Sequence, residues 1–159
     1  MKTYILTLLL LCVSCLSSAQ GDDLFREFKK EPCAEYVMIP SYVMTIGKMF
    51  MNDDPDARMA KKVKTIRVLD MERCPKDVRR RFERRVNALR RKGYEPMIRV
   101  NEDGEQAHIY IRIKDDLVRE LLIACSEADE CTLVQIKGKF TKEDMTQLID
   151  DQLSHKDER

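Results

Sequence analysis

Between Glu72 and Lys92 the chain concentrates ten basic residues, Arg73, Lys76, Arg79, Arg80, Arg81, Arg84, Arg85, Arg90, Arg91 and Lys92, against three acids, Glu72, Asp77 and Glu83. Guanidinium density of this kind is the chemistry of anion recognition, because Arg offers a planar fork of donors to phosphate or carboxylate. Arg79, Arg80, Arg81, Arg84, Arg85 and Arg91 form the candidate anion or partner patch. The plainer alternative is a solvated helix face balanced by acids elsewhere, around Asp22 and Asp150. Nucleic acid suits an Arg-rich face, yet the one aromatic residue of this run, Phe82, belongs to its apolar stripe and none interleaves on the basic side to stack on bases. Anionic lipid, lipopolysaccharide phosphates or an acidic envelope protein are the remaining candidate partners. With 36% charged residues and a formal net charge of +1, no global field draws the chain to any of them, so charge-driven binding must be local.

Reactive groups are otherwise sparse. The chain has only two histidines, His108 and His155, as general bases near neutral pH. It lacks a nucleophile elbow, a phosphate-binding loop, a dinucleotide fingerprint and a zinc-protease helix. No catalytic, cofactor or metal residues are therefore assigned. His108 sits in a stretch whose Ile109, Ile111 and Ile113 are expected to face the core, which puts His108, Tyr110 and Arg112 together on the opposite, open side. That trio is a candidate sheet-face site, or simply a partly exposed strand face. The carboxylate pairs Asp115 with Asp116 and Asp150 with Asp151 fall in a turn and near a helix end, where solvated surface accounts for them. Glu120 is the one acid inside an apolar strand, and exposure at a sheet edge is the expected reason.

The first residues supply an address. Lys2 is a positive start, Tyr4 to Val13 is an almost unbroken apolar run too short to span a bilayer, and Ser17, Ser18 and Ala19 are small. This reads as an export signal over residues 1–19, cleaved before Gln20. The rival reading takes Leu11 to Cys15 as a lipoprotein box with Cys15 lipidated, although Cys12 stands where such a box wants Leu. The expected place is the periplasm, or else the outer membrane through a lipid anchor, and export removes nucleic acid as a partner. No later segment is apolar enough to cross a membrane.

An oxidising compartment changes how the cysteines read. Four of the six lie beyond the signal: Cys33, Cys74, Cys125 and Cys131. Cys125 and Cys131 flank a polar turn from Ser126 to Glu130 between two apolar runs, so a hairpin there would make them the better pair for a disulfide. The alternative for these two is a pair of buried thiols. Cys33 and Cys74 are the weaker pair, because they bracket a βαβ-like unit and would sit at opposite edges of its sheet if its strands run parallel. None has the spacing of a zinc site.

The elements that must position these groups follow from periodicity. Asp22 or Asp23 caps a short amphipathic helix through Leu24, Phe25 and Phe28, ending near Pro32. Tyr36 to Ile39 reads as a strand, Ser41 to about Met51 as a Met-rich helix, Asp54 and Pro55 as the start of another to Lys62, and Val63 to Leu69 as a second strand. Val78, Phe82, Val86 and Leu89 line one face of a helix from Pro75 to Lys92, stopped by Gly93. The period then changes to two: strands Met97 to Val100, Ala107 to Ile113, Leu117 to Cys125 and Thr132 to Phe140 form an antiparallel meander, the first turn being Asn101 to Gly104. Thr141, with Asp144 three residues on, caps a closing helix that buries Met145, Leu148, Ile149 and Leu153.

The sum is an α+β domain over residues 20–153 with a frayed tail at 154–159. It is a two-layer sandwich, with a mixed, mostly antiparallel sheet of about six strands, an early βαβ crossover and helices packed mainly on one face. The strand Tyr36 to Ile39 before a Ser-capped Met-rich helix, Thr65-Ile66-Arg67-Val68-Leu69, Gly93-Tyr94-Glu95-Pro96-Met97 and Leu133-Val134-Gln135-Ile136-Lys137-Gly138-Lys139-Phe140 together resemble domain-of-unknown-function family 4252. The resemblance implies a small exported protein of Bacteroidota and brings no catalytic residues or cofactor. It also implies gene neighbours encoding alternative sigma factors, hence roles in envelope stress or surface adaptation. The function expected is a non-catalytic binding or interaction module of the bacterial envelope; an enzyme with an unfamiliar site and a structural outer-membrane lipoprotein are the alternatives.

Overall fold

The computed structural model describes residues 20–49, 55–102, 105–126 and 131–146. Residues 1–19, expected to be an export signal and holding Cys12 and Cys15, the expected cap at Asp54, the turn residues 103–104 and 127–130, and Leu148, Ile149 and Leu153 lie outside the described residues. Chain order is α1 (Gln20–Phe28), β1 (Glu35–Ile39), α2 (Ser41–Lys48), α3 (Pro55–Lys62), β2 (Val63–Asp70), α4 (Lys76–Asn87), a 3-10 turn (Leu89–Lys92), then β3 (Glu95–Glu102), β4 (Glu105–Lys114), β5 (Leu117–Ser126) and β6 (Cys131–Phe140). A last helical turn covers residues 142–146. The fold is α+β, with one six-stranded sheet ordered β1-β2-β6-β5-β4-β3.

Local chemistry sets several of these boundaries. Gly93 takes φ 81°, the left-handed conformation that ends a helix without a Cβ penalty, and it closes the 3-10 turn rather than α4 itself. Leu89 at the start of that turn is buried, so tightening the last turn keeps the apolar stripe of Val78, Phe82 and Val86 in register with the core. Asp115 and Asp116 both adopt φ 55° in the two-residue turn between β4 and β5. Positive φ at both central positions is the geometry that matches strand twist in a tight hairpin. The capping box at the closing helix forms as its spacing requires: Thr141 N donates to Asp144 Oδ2 at 2.7 Å and Asp144 N donates to Thr141 Oγ1 at 3.2 Å.

Every strand pairing is antiparallel, including β1 with β2. The expected βαβ crossover is therefore corrected. One helix between two strands returns the chain to a parallel start, whereas the two helices α2 and α3 add a further reversal. Antiparallel pairing sets Glu35 opposite Asp70, so Cys33 just before β1 and Cys74 just after β2 meet at one end of the sheet. They form a disulfide with Cα atoms 5.0 Å apart. The expected bridge between Cys125 and Cys131 is not made, and both remain thiols. Cys125 pairs with Thr132, and Cys131 pairs with Ser126. Each cysteine is thus one residue out of step with the other, and the alternation of a strand sends their side chains to opposite faces.

Helices α1 and α4 pack on one face of the sheet. Leu24, Phe25 and Phe28 of α1 join Val78, Phe82 and Val86 of α4 over Leu69, Tyr110, Leu122, Ala124, Cys131 and Leu133. Phe28 and Phe82 meet edge to face with centroids 5.4 Å apart. A smaller cluster of Val118, Phe140 and Met145 gathers Met59, Ile111, Ile113 and Ile136. Ile111 and Ile136 alternate with Tyr110 and Gln135, so this cluster draws on the face that α1 and α4 leave.

The Cys33–Cys74 bridge spans 41 residues of sequence. Loop-closure entropy for a span of this length makes its removal cost about 3–4 kcal/mol. The double change Cys33→Ser, Cys74→Ser should lower the urea midpoint accordingly, while the double change Cys125→Ser, Cys131→Ser should leave the effect of reductant on that midpoint intact.

Candidate functional site

The candidate sheet-face trio of β4, His108, Tyr110 and Arg112, is not on an open face. Tyr110 is 1% exposed, and His108 and Arg112 share its side beneath α1 and α4. Ile109, Ile111 and Ile113 line the opposite face and are half-buried. One row is the apolar Ile109, Ile111 and Ile113 and the other the amphipathic His108, Tyr110 and Arg112, and neither is fully exposed. The register with β5 decides between them, since Tyr110 stands opposite Leu122 and His108 opposite Ala124, both buried. His108 stacks on Tyr110 with centroids 6.1 Å apart.

Glu120 is corrected in the same way. It lies in β5, an interior strand, and is 4% exposed. A buried carboxylate must be hydrogen-bonded to be tolerated, and this one is. Tyr94 Oη donates to Glu120 Oε1 at 2.7 Å, Gln135 Nε2 donates to the same oxygen at 2.5 Å, and Arg112 Nη1 stands 3.6 Å from Oε2. The Arg112 guanidinium also lies 4.2 Å above the Tyr94 ring. Burial, then the Glu120 charge and hydrogen bond, push the Tyr94 hydroxyl far above its usual range, so it stays a donor.

The N-terminus of α1 is fitted onto this group. A Cβ on Gly21 would overlap Glu120 Oε1, Tyr94 Oη and Gln135 Nε2, so glycine is what lets the helix approach. The next residue, Asp22, receives Lys137 Nζ at 2.8 Å and Arg67 Nη1 at 2.5 Å. Burial raises the Asp22 carboxyl, but the Lys137 hydrogen bond and the Lys137 and Arg67 charges outweigh it and hold the group below its usual value. The cluster joins α1 to β2, β4, β5 and β6 through side chains only. Sequence reasoning did not foresee it; Glu120 amid apolar neighbours was the one signal available.

The Arg-rich helix divides into two populations. Arg81 pairs with Glu31 and Glu27, and Arg85 with Glu27 at 2.9 Å, so these two hold α4 against α1. Arg81 also caps the Phe28 ring at 5.3 Å. Arg79 is half-buried and has partners of its own. Arg80, Arg84, Arg90 and Arg91 are exposed, and none is paired with a described carboxylate.

One shallow cleft lies beside α4, lined by Glu83, Val86, Asn87, His108, Ala124 and Ser126, with about 230 Å³ of space including its solvent-open part. Ser126 Oγ donates to Glu83 Oε1 at 2.7 Å instead of addressing the imidazole. The neighbouring Cys131 thiol is pushed up to about 12 by burial and by the Glu83 charge, so it is not a nucleophile at neutral pH. Among the described residues no three His, Cys, Asp or Glu side chains gather as metal ligands. What the arrangement does chemically is hold charges in fixed pairs and present a basic ridge.

Two outcomes test this geometry. Gly21→Ala should cost about 1–3 kcal/mol, the usual penalty of overpacking, read as a lower urea midpoint with unchanged far-ultraviolet dichroism. The Asp22 contribution follows from its depressed folded value: it is fully present above the unfolded value near 3.8 and disappears as pH falls through the folded one. Asp22→Asn should therefore destabilise at pH 7, and the gap to the parent protein should narrow in acid below about pH 4.

Comparison with curated proteins and with solved structures finds no match. The family model described as Domain of unknown function (DUF4252) matches residues 28–148, from the last residue of α1 past the helical turn at 142–146, and the chain belongs to that family.

Proposed function

We propose that the protein is a non-catalytic binding module of the bacterial envelope that takes an anionic partner, lipid or acidic protein, on the outward side of α4. The observation that carries this reading is the set Arg80, Arg84, Arg90 and Arg91: exposed, close together in sequence and left over once Arg81 and Arg85 are committed to α1. A desolvated fork on such a ridge gains charge-assisted hydrogen bonds to phosphate or carboxylate. The envelope setting rests on the Lys2 start, the apolar run to Val13 and the small residues before Gln20, with a lipidated Cys15 as the tethered form. Against an enzyme stands the closed environment of Glu120, whose oxygens are occupied by Tyr94, Gln135 and Arg112. Against nucleic acid stands export. A purely structural lipoprotein would leave the ridge without a use.

Protein purified from its own envelope should sediment with phosphatidylglycerol vesicles and not with phosphatidylcholine alone, less so as salt rises and screening shortens to about 8 Å at physiological strength. Arg80→Glu with Arg84→Glu should abolish that retention without loss of fold. Arg81→Glu should instead lower stability, since it breaks the contact with Glu27 and Glu31. Retention that ignores both salt and the ridge changes sinks the lipid arm, and failure of a pull-down with acidic proteins sinks the other. Intact mass of the same preparation reports whether the chain starts at Gln20 or at a lipidated Cys15.

A further inference from the structure

The exposed large apolar side chains among the described residues are Val37, Met38, Tyr42, Val43, Ile46 and Met49. All six fall in one stretch of 13 residues, made of the edge strand β1 and the helix α2 that follows it. Helix α2 buries none of its residues, and Tyr42, Ile46 and Met49 recur at spacings of four and three along one side, with Met49 80% exposed. Val37 and Met38 alternate to opposite faces of β1, so the exposed groups belong to both sides of an edge strand and to the helix beyond it; clustered apolar exposure of this kind marks a binding surface. Between Glu35 and Met49 the only charged residues are Glu35 and Lys48, and the Lys48 ammonium is turned onto the Val63 carbonyl. A surface helix for anionic membranes carries a strongly basic polar face. Charge depletion with Tyr and Met enrichment is instead the composition of a protein interface core.

The two edges of the sheet differ in how they are defended. Edge strand β3 carries Pro96, an irregular register between Pro96 and Ile98, and the exposed charge of Glu95. These are the usual devices against strand-to-strand association. Strand β1, Glu-Tyr-Val-Met-Ile, has no lysine, no bulge and no proline inside it, and pairs with β2 on one side only. Its outer backbone groups therefore offer a template for another strand.

From this asymmetry we propose that β1 and α2 form a two-fold interface with a second copy of this chain, β1 pairing antiparallel with β1 about Val37. Centring on Val37 uses all five residues of the strand. It sets Glu35 opposite Ile39 and Tyr36 opposite Met38, so no like charges face each other and an aromatic ring meets a thioether. The two-fold is the commonest symmetry of soluble oligomers, and it requires a self-complementary patch of this sort. The sheets of the two copies would run on as one of twelve strands, and the apolar side of α2 would widen the buried surface next to the seam. This surface is separate from the basic ridge on α4, so either reading can fail without the other.

The test is the mass of the processed protein in solution by light scattering, at concentrations up to tens of micromolar. The expected result is a dimer that Val37→Lys and, separately, Ile46→Glu convert to monomer with far-ultraviolet dichroism unchanged. Mild oxidation should cross-link Val37→Cys to itself across the axis, but not Glu35→Cys, whose counterpart lies four positions away along the strand; the parent protein is the control. A monomer throughout overturns the proposal. So does a dimer untouched by Val37→Lys, equal cross-linking of the two cysteine variants, or loss of the patch to neutral phosphatidylcholine vesicles.

Discussion

A carboxylate with 4% exposure in an interior strand constrains everything packed against it. Glu120 cannot be left without donors, because an unpaired buried charge costs several kcal/mol even after relaxation. Tyr94, Gln135 and Arg112 meet that need from three separate stretches of chain, and each is in turn fixed by the bond it makes. The approach of α1 then depends on Gly21, since any larger residue would stand where the Tyr94 hydroxyl and Glu120 oxygen already are. With α1 seated there, Leu24, Phe25 and Phe28 reach the core, and Glu27 and Glu31 come within range of Arg81 and Arg85. A polar contact at the helix start thus sets the register of an apolar layer and of the ion pairs outside it.

Element positions were legible wherever one period dominated. The stripe Val78, Phe82, Val86 announces α4, the alternation along β4 to β6 announces three strands, and Thr141 with Asp144 announces a helix start whose reciprocal bonds are present. Relations between elements were less legible. Strand direction depends on how many times the connection reverses, and reading α2 and α3 as one crossover led to a parallel pair, which in turn misplaced Cys33 and Cys74. The facing of β4 was misread because the row that carries polar groups, His108, Tyr110 and Arg112, is the one the helices cover; the buried neighbours of Tyr110 across the ladder identify that side. The error at Cys125 and Cys131 is of another kind. Proximity in sequence suggested a bridge, but a one-residue offset in pairing puts the two sulfurs on opposite sides of a sheet.

Charge in this chain serves two purposes that composition cannot separate. Of the guanidinium groups on α4, Arg81 and Arg85 are joined to Glu27 of α1 and Glu31 just after it, while Arg80 and Arg84 point to solvent. Residues adjacent in sequence differ because the helix turns them about 100° apart, and α1 lies along only one flank. The count of basic residues overstated the free positive surface for that reason. The opposite case is α2, where Tyr42, Ile46 and Met49 form an apolar side that the fold leaves outside.

The placement of sulfur bears on how the oxidised molecule keeps its connectivity. Cys131 belongs to the same buried cluster as Cys74, so a third sulfur sits in the layer that contains the bridge. Exchange requires a thiolate to attack a disulfide sulfur. Burial and the nearby Glu83 carboxylate keep Cys131 protonated across the range in which exchange is fast, and the close packing around it bars the in-line approach. In the native state the bridge is therefore insulated from shuffling by the same apolar layer that it helps to close. Once that layer opens, the thiol ionises and isomerisation becomes available, so the fidelity of pairing in this chain is a property of its folded core and lasts as long as the core does.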